Sequence, residues 1–270
     1  MNKKDDLGDR MKLLEGREAK RTLMPKLPIM ARLDGKCFSK FTKGLKRPYD
    51  IRMSNLMIEL AKKLVHEYNA LISYTQSDEL SLVLYSDTDA QIPYGARVQK
   101  LVGDMTAFAS VEFNKMLPKF IPEKQHLSPR FDCRVWNVPT KQEAANSILW
   151  RELDATKNSI SMAAHEYFSH KSLHGKNGKE KMDLLMSKDI NFNDYPPFFK
   201  RGTFVRRELI ERKYTVDEID KLPAKHQART NPDLMVLRHE IRELIMPPFS
   251  KVTNRVGVIF NSEEPVTFGE

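Results

Sequence analysis

Hydrophobic positions along the chain recur with two periods. "LPIMARL" (27–33) is a short apolar run of strand length. "ALISYTQ" (70–76) and "ELSLVLY" (79–85) are two more, joined by a tight turn at Ser77 and Asp78. Between them Met53, Leu56, Met57, Leu60, Ala61, Leu64 and Val65 fall at i, i+3, i+4 and i+7, which predicts an amphipathic helix capped by Asp50. A second long helix is predicted over 94–117, with Val98, Leu101, Val102, Met105 and Ala109 as its apolar stripe. "FDCRVWNVP" (131–139) reads as a strand stopped by Pro139, and residues 1–24 as a polar helical lead-in.

The second half is less regular. Residues 141–168 are helical for most of their length. "HGKNGKEK" (174–181) reads as a flexible basic loop, and a strand starts near Thr203. Residues 233–246 read as a helix and "NRVGVIF" (254–260) as a last strand. There is no internal repeat and no low-complexity linker. The order β-α-β-β-α-β predicts an α+β fold: an antiparallel sheet covered by helices, ferredoxin-like or similar to a polymerase palm, with a helical and basic C-terminal extension. The expected division is a palm-like core over 1–140 and a C-terminal part over 141–270 packed on it as one continuous unit.

Composition narrows the class. With 270 residues and 40% hydrophobic content the chain can bury one large core or two packed ones. Lys and Arg number 45 against 36 Asp and Glu, a net charge of +9, which favours a polyanionic partner such as nucleic acid or nucleotide phosphates. An anionic membrane is the other candidate, but no apolar run approaches the roughly 20 residues of a span. The charged N-terminus argues against a secretory signal. Cys37 and Cys133 are too few for a disulfide framework and lack metal-ligand spacing. These features predict a soluble, cytoplasmic protein with no membrane partner.

Asp34 stands where the first strand ends, in "RLDGKCFSKFTKGLKRPYD", and Asp78 stands in the hairpin turn. If the first strand lies beside the hairpin, both carboxylates reach one edge of the sheet. Two Asp plus a backbone carbonyl suit Mg²⁺, and the lysines at 36, 40, 43 and 46 would then face phosphates. Each feature also has a plain reading. Asp-Gly after a strand is the composition of a turn, and the lysines that of a solvated loop.

"RLDGKCFSKFT" followed by "YTQSDELSLVL" resembles the catalytic signature of the tRNA-His guanylyltransferase family and its "-like" branch. "RVQK" (97–100), "FDCRV" (131–135), "WRELDATKNS" (150–159) and "FFKRGTFV" (198–205) resemble later family elements, in order, over about two thirds of the chain. The resemblance implies a 3′-to-5′ polymerase that adds nucleotides to the 5′ end of RNA, with two Mg²⁺ ions, GTP or another nucleoside triphosphate and ATP as substrates, and tRNA as partner. It implies metal ligation by Asp34, the Gly35 carbonyl and Asp78, with Glu79 as an adjacent catalytic carboxylate. Nucleotide contacts fall on Asp34, Gly35, Lys36, Cys37, Phe38, Ser39, Ser77 and Asp78, and triphosphate contacts on Arg97 and Lys100. Asn158, Lys200 and Arg201 are expected at the RNA 5′ end, with Arg206 and Arg207 nearby. Family members are similar in forming tetramers, so a homo-oligomer is expected.

One segment departs from the pattern. Enzymes that guanylylate tRNA-His carry H-I-N-N-L-Y-N after W-R-x-x-D, whereas this chain has "ATKNSIS" (155–161), in which only Asn158 matches. This points to the "-like" branch, which repairs 5′-truncated tRNA against a template base. Cys133 at a Gly/Ala position is a smaller departure. His170 and His174 stand among lysines that could meet RNA phosphates or water alone. Trp136 and Trp150 are expected in the core rather than as stacking platforms. Two alternatives remain: G−1 addition to tRNA-His, and a noncatalytic RNA-binding protein that keeps the fold. A palm-like enzyme with a small nucleotide product is a third, disfavoured by the basic second half.

Overall fold

The computed structural model describes residues 6–88, 92–231 and 233–268, so residues 1–5 of the expected lead-in lie outside it. Helix α1 (Asp6–Ala19) buries no residue. Strand β1 (Ile29–Lys36) is followed by the short α2 (Phe38–Phe41) and by α3 (Ile51–Glu67). The Asp50 carboxylate accepts from the Arg52 N–H and caps α3, and all seven stripe residues of that helix are buried. β2 (Ile72–Gln76) and β3 (Glu79–Leu84) form the hairpin, α4 (Val98–Phe120) the second long helix and β4 (Arg130–Asn137) the fourth strand. The expected β-α-β-β-α-β order is therefore present.

After Thr140, which caps it, α5 (Lys141–Tyr167) crosses the other face of the sheet. Short helices α6 (His170–Leu173), α7 (Gly178–Met186) and α8 (Pro197–Arg201) lead to β5 (Thr203–Lys213); α9 (Val216–Lys221), β6 (Met235–Leu244) and α10 (Arg255–Phe260) complete the fold. The six strands run β4-β1-β3-β2-β5-β6, each pair antiparallel. Because β5 pairs with β2, one sheet spans both halves of the chain. Strand alternation then builds two cores. Ala31, Leu33, Leu80 and Leu82 face α3 and α4, while Met30, Val83, Ile72 and Phe204 face α5 and α10.

Three readings of the second half are corrected. Residues 235–244 form a strand, not a helix: they pair with β5 over ten register positions, and this pairing overrides the helix-favouring Arg, Glu and Leu content. "NRVGVIF" forms α10, not a strand. It packs Gly257, Val258 and Ile259 inward, and a Cβ on Gly257 would lie 1.9 Å from the Glu263 carboxylate. In "HGKNGKEK" the loop ends at Asn177, whose side chain accepts from Glu180 N–H while Glu180 reaches back to Asn177 N–H. This capping box starts α7. Among the described residues no helix is long and apolar enough to cross a membrane.

Candidate functional site

The end of β1 and the β2–β3 turn meet at one edge of the sheet. Gly35 N–H donates to the Asp78 carbonyl at 3.1 Å, which ties the two segments together. Gly35 is required here, because a Cβ would lie 2.4 Å from the Phe38 ring. That ring packs at 5.1–5.5 Å against Phe41, Phe113 and Phe131, so the apolar residue after the Asp-Gly step anchors the loop in the core. Ser77 turns the hairpin with φ +56°, a left-handed conformation costly for a residue with a Cβ. Asp34 and Asp78 are both half-buried.

Burial, then Asp132 and Glu79, raises the Asp34 carboxyl above its ordinary range. Asp78 is pushed up to about 6, by burial first and then by Asp34, against hydrogen bonds from its own backbone and Ser77. Among the described residues no Lys, Arg or His forms an ion pair with either, although Glu79, Asp132 and Asp154 nearby do have partners.

Register places Asp132, Asp34 and Glu79 side by side on three strands, on the α5 face. Glu79 differs from its neighbours. Both its oxygens accept from Arg151 of α5 at 2.6 Å, and Arg32 approaches at 3.5 Å. Its carboxylate is thus engaged in a bidentate clamp. Arg151 also reaches Asp154 at 3.2 Å. Sequence reasoning assigned no role to Arg151, Arg32 or Asp132. Arg32 lies inside an apolar run, and the Arg151–Glu79 pair spans 72 residues of sequence. Only Asp132 had a local signal, since alternation in "FDCRVWN" puts it on the face of Trp136.

A cavity of about 380 Å³ opens beside Ser77. Ser39, Lys43, Lys46 and Arg47 of the basic loop line one side, and Met162, His165 and Phe198 another. Asp50 also borders it, but its carboxylate is held by Arg52 and by Lys46 N–H. Lys36, Cys37 and Lys40 border a separate cleft of about 270 Å³ with Arg130. Cys133 is buried and its thiol pushed up to about 12 by burial, the position of a packing residue.

The remaining sequence candidates separate. Arg97 and Lys100 open α4, where Leu23 N–H donates to the Ala96 carbonyl and Ala96 shares a cleft with Ile29. That is the start of β1, roughly 17 Å of strand from Asp34, so the structure does not bring this pair to the carboxylate edge. Asn158 is exposed and donates to Asp154 at 3.4 Å. Lys200 donates to the Asn193 carbonyl, and burial and then Arg201 lower its pKa. The Arg201 carbonyl accepts from Tyr74 at 2.8 Å. Gly202 follows at φ +79°, where a Cβ would lie 2.6 Å from the Thr75 carbonyl, so this element is fitted tightly against β2. Arg206 is fully buried and donates to the Val258 and Glu263 carbonyls, which fixes the tail rather than facing a ligand. Trp150 is not in the core: it is 55% exposed.

The comparisons agree with this architecture. The family model described as tRNAHis guanylyltransferase matches residues 8–139. The tRNA(His) guanylyltransferase of Saccharomyces cerevisiae is 31% identical over 205 residues, covering 69% of this chain and 85% of the yeast protein. A bacterial tRNA(His) guanylyltransferase-like protein solved in complex with ATP superposes with a TM-score of 0.70 at 34% identity, over 75% of this chain and 87% of that one. One solved in complex with GTP gives 0.71 at 28% identity, over 93% and 99%. These matches make the protein a nucleotidyltransferase with an α+β fold. It belongs to the tRNA(His) guanylyltransferase family.

Proposed function

We propose that the protein is a Mg²⁺-dependent, template-directed 3′-to-5′ nucleotidyltransferase that adds nucleotides to the 5′ end of truncated tRNA, with the sheet as a palm-like core. The observation that carries this reading is the Asp34–Asp78 pair: two half-buried carboxylates that form no ion pair among the described residues, beside a cavity bordered by Lys43, Lys46 and Arg47. Their donors fit Mg²⁺, which takes hard oxygens and commonly has only one or two carboxylates plus substrate phosphates. Asp34, the Gly35 carbonyl and Asp78 would hold it. When bound, it supplies a lower pKa for the attacking hydroxyl and neutralises phosphate charge.

The chain's own residues do the positioning. The basic loop and Ser77 receive a nucleoside triphosphate, consistent with the ATP and GTP held by the bacterial relatives. The 3′-hydroxyl of that nucleotide attacks the α-phosphorus of a 5′-triphosphorylated RNA end; the new O–P bond forms as pyrophosphate leaves. A monophosphorylated end is first adenylylated: its phosphate oxygen attacks the α-phosphorus of ATP and pyrophosphate leaves, and AMP is then the leaving group when the 3′-hydroxyl attacks the RNA phosphate. Arg151 keeps Glu79 turned into the α5 face.

The repair reading rests on residues 155–161. Ala155, Ser159 and Ile160 are buried, and Ser159 Oγ bonds the Lys200 carbonyl. Lys157 and Asn158 alone of the segment are exposed. Selection of the added base then falls to pairing with the opposite RNA strand. The test is to vary that template base on a 5′-truncated tRNA and record which of the four nucleotides is incorporated. Incorporation should follow the template. Addition of G whatever the template, with full-length tRNA-His the better substrate, replaces repair with G−1 addition, the activity named for the yeast relative. RNA binding without extension in Mg²⁺ would leave the noncatalytic reading.

A further inference from the structure

We propose that Trp150 is a stacking platform for a nucleobase at the reacting end of the RNA. The inference rests on the reading above for the identity of the RNA, and on the geometry of Trp150 for the contact.

Trp150 lies on α5 and is 55% exposed, unusual for so large an apolar side chain. It is nevertheless held. The guanidinium of Arg151 lies 4.7 Å from its ring centroid and that of Arg32 4.8 Å. Both guanidiniums are themselves placed by Glu79, through the Arg151 clamp and the 3.5 Å approach of Arg32. Arg32 also stacks 5.5 Å from Trp136, which closes the cluster from below. The indole is thus tied through Arg151 to Glu79, the residue next to Asp78, and through Arg32 to the strand that carries Asp34. An aromatic ring fixed in advance loses little entropy when a base stacks on it.

Position selects the occupant. Trp150 shares the sheet face of Asp34 and lies twelve residues, or about 18 Å of helix, from Met162 at the nucleotide cavity. A nucleotide in that cavity leaves Trp150 free for the other reactant, the RNA end. Arg32 and Arg151 are engaged by Glu79 and serve to hold the indole, so what is offered to the RNA is the exposed part of the ring, and base–aromatic stacking of this kind is how single strands are bound.

The test uses the full-length protein and a 5′-truncated tRNA, with Trp150→Leu and Trp150→Phe. Losing one base–aromatic stack should raise the RNA KM and Kd of Trp150→Leu about five- to a hundredfold, with nucleotide KM unchanged and Trp150→Phe retaining more. The chain has two tryptophans, so RNA should quench the wild-type fluorescence and quench Trp150→Phe, which keeps only Trp136, far less. This readout needs binding and not turnover, so it stands even if the wild type fails to extend RNA and the repair reading falls. It also decides the matter if Trp150→Leu does not fold. Unchanged RNA affinity in Trp150→Leu, or equal quenching in the wild type and Trp150→Phe, overturns the proposal. So does a change of oligomeric mass in either variant by light scattering, which would make Trp150 a contact between copies of the chain.

Discussion

The two ends of the sheet treat charge in opposite ways. Beyond Arg206, β5 has only β6 as a strand neighbour, and this ribbon pairs its charges. Arg212 binds Glu218 and Glu240, Arg242 also binds Glu240, and Lys213 meets Asp233. The partners hold the Glu218 and Glu240 carboxyls below the ordinary range, with Arg212 the largest cause for each. At the hairpin end Asp34 and Asp78 are more enclosed, have no ion-pair partner among the described residues, and are shifted the other way, Asp34 even against the pull of Arg134 and Arg151. Paired surface charge fixes register and solubility at little energetic consequence. Unpaired, partly buried charge destabilises the ligand-free fold and marks where a ligand belongs. Glu79, one residue from Asp78, belongs with the paired kind because Arg151 occupies it.

The sharpest way to break this comparison is Asp78→Asn. Removing a hard anionic ligand should lower nucleotide addition by about 10³-fold or more, and Asp34→Asn should do the same. Stability should move the other way. A carboxyl whose folded pKa is raised to about 6 favours the fold when protonated, and that contribution is lost as pH rises through about 6. Wild type at pH 8 therefore carries an ionised, poorly solvated Asp78. Asp78→Asn should be more stable there by about 1–3 kcal/mol in metal-free buffer. Thermal unfolding with and without Mg²⁺ checks both halves: the ion should stabilise wild type and not the variant. A variant less stable than wild type in chelator would show that the pair is not strained.

Glu152 sharpens the contrast from a third situation, a carboxylate that is buried and hydrogen-bonded, with no ion-pair partner among the described residues and Arg201 acting on it only from a distance. It is 3% exposed and accepts from Phe249 N–H at 2.8 and 3.1 Å. Burial pushes it up to about 7, against those bonds and Arg201. Its stabilising contribution is therefore full below about pH 4.5 and declines as pH rises through 7. Glu152→Gln keeps an acceptor without the charge. Relative to wild type it should gain stability between pH 5 and 8, by on the order of 2–3 kcal/mol at the upper end. Denaturant unfolding across that range measures the difference, and a flat difference would mean that Glu152 stays ionised at no cost.

Local rules made part of this legible. Strand length, turn chemistry and helical spacing put Asp34 and Asp78 at strand ends, and Asp50 at a helix start, before any coordinates. The same rules reach further. Ala144, Ile148 and Ala155 mark the inner face of α5 at i, i+4 and i+11, and Trp150 lies about 200° around the helix from Ile148. Its exposure follows from that spacing, although its apolar character suggested the core. Other features had no local trace. The Arg151 clamp on Glu79 needs α5 laid across β3, and residues 235–244 became a strand because β5 offered an open edge. By resemblance Arg97 and Lys100 are expected to hold a triphosphate, yet the fold places them by the far end of β1.

The smallest effect is expected at the ribbon. Arg212 joins β5 to β6 through Glu240 and to α9 through Glu218, in four close hydrogen bonds counting its own strand's Lys213 carbonyl. These close ionic bonds stand in contrast to Asp78, which has none among the described residues. Solvent reaches all of them, however, so the charges gain little over their hydration and salt screens them. Arg212→Ala should leave nucleotide addition at the wild-type rate and the unfolding midpoint little changed. The change should be local. An isolated two-stranded ribbon is marginal, so amides of residues 235–240 should exchange faster with deuterium while those of β1 and β3 keep their protection. Wild type in 1 M NaCl should reproduce much of that exchange pattern. If Arg212→Ala instead lowers global stability as much as the loss of a core side chain, the ribbon's charges are structural in the strong sense and the contrast between the two ends of the sheet fails.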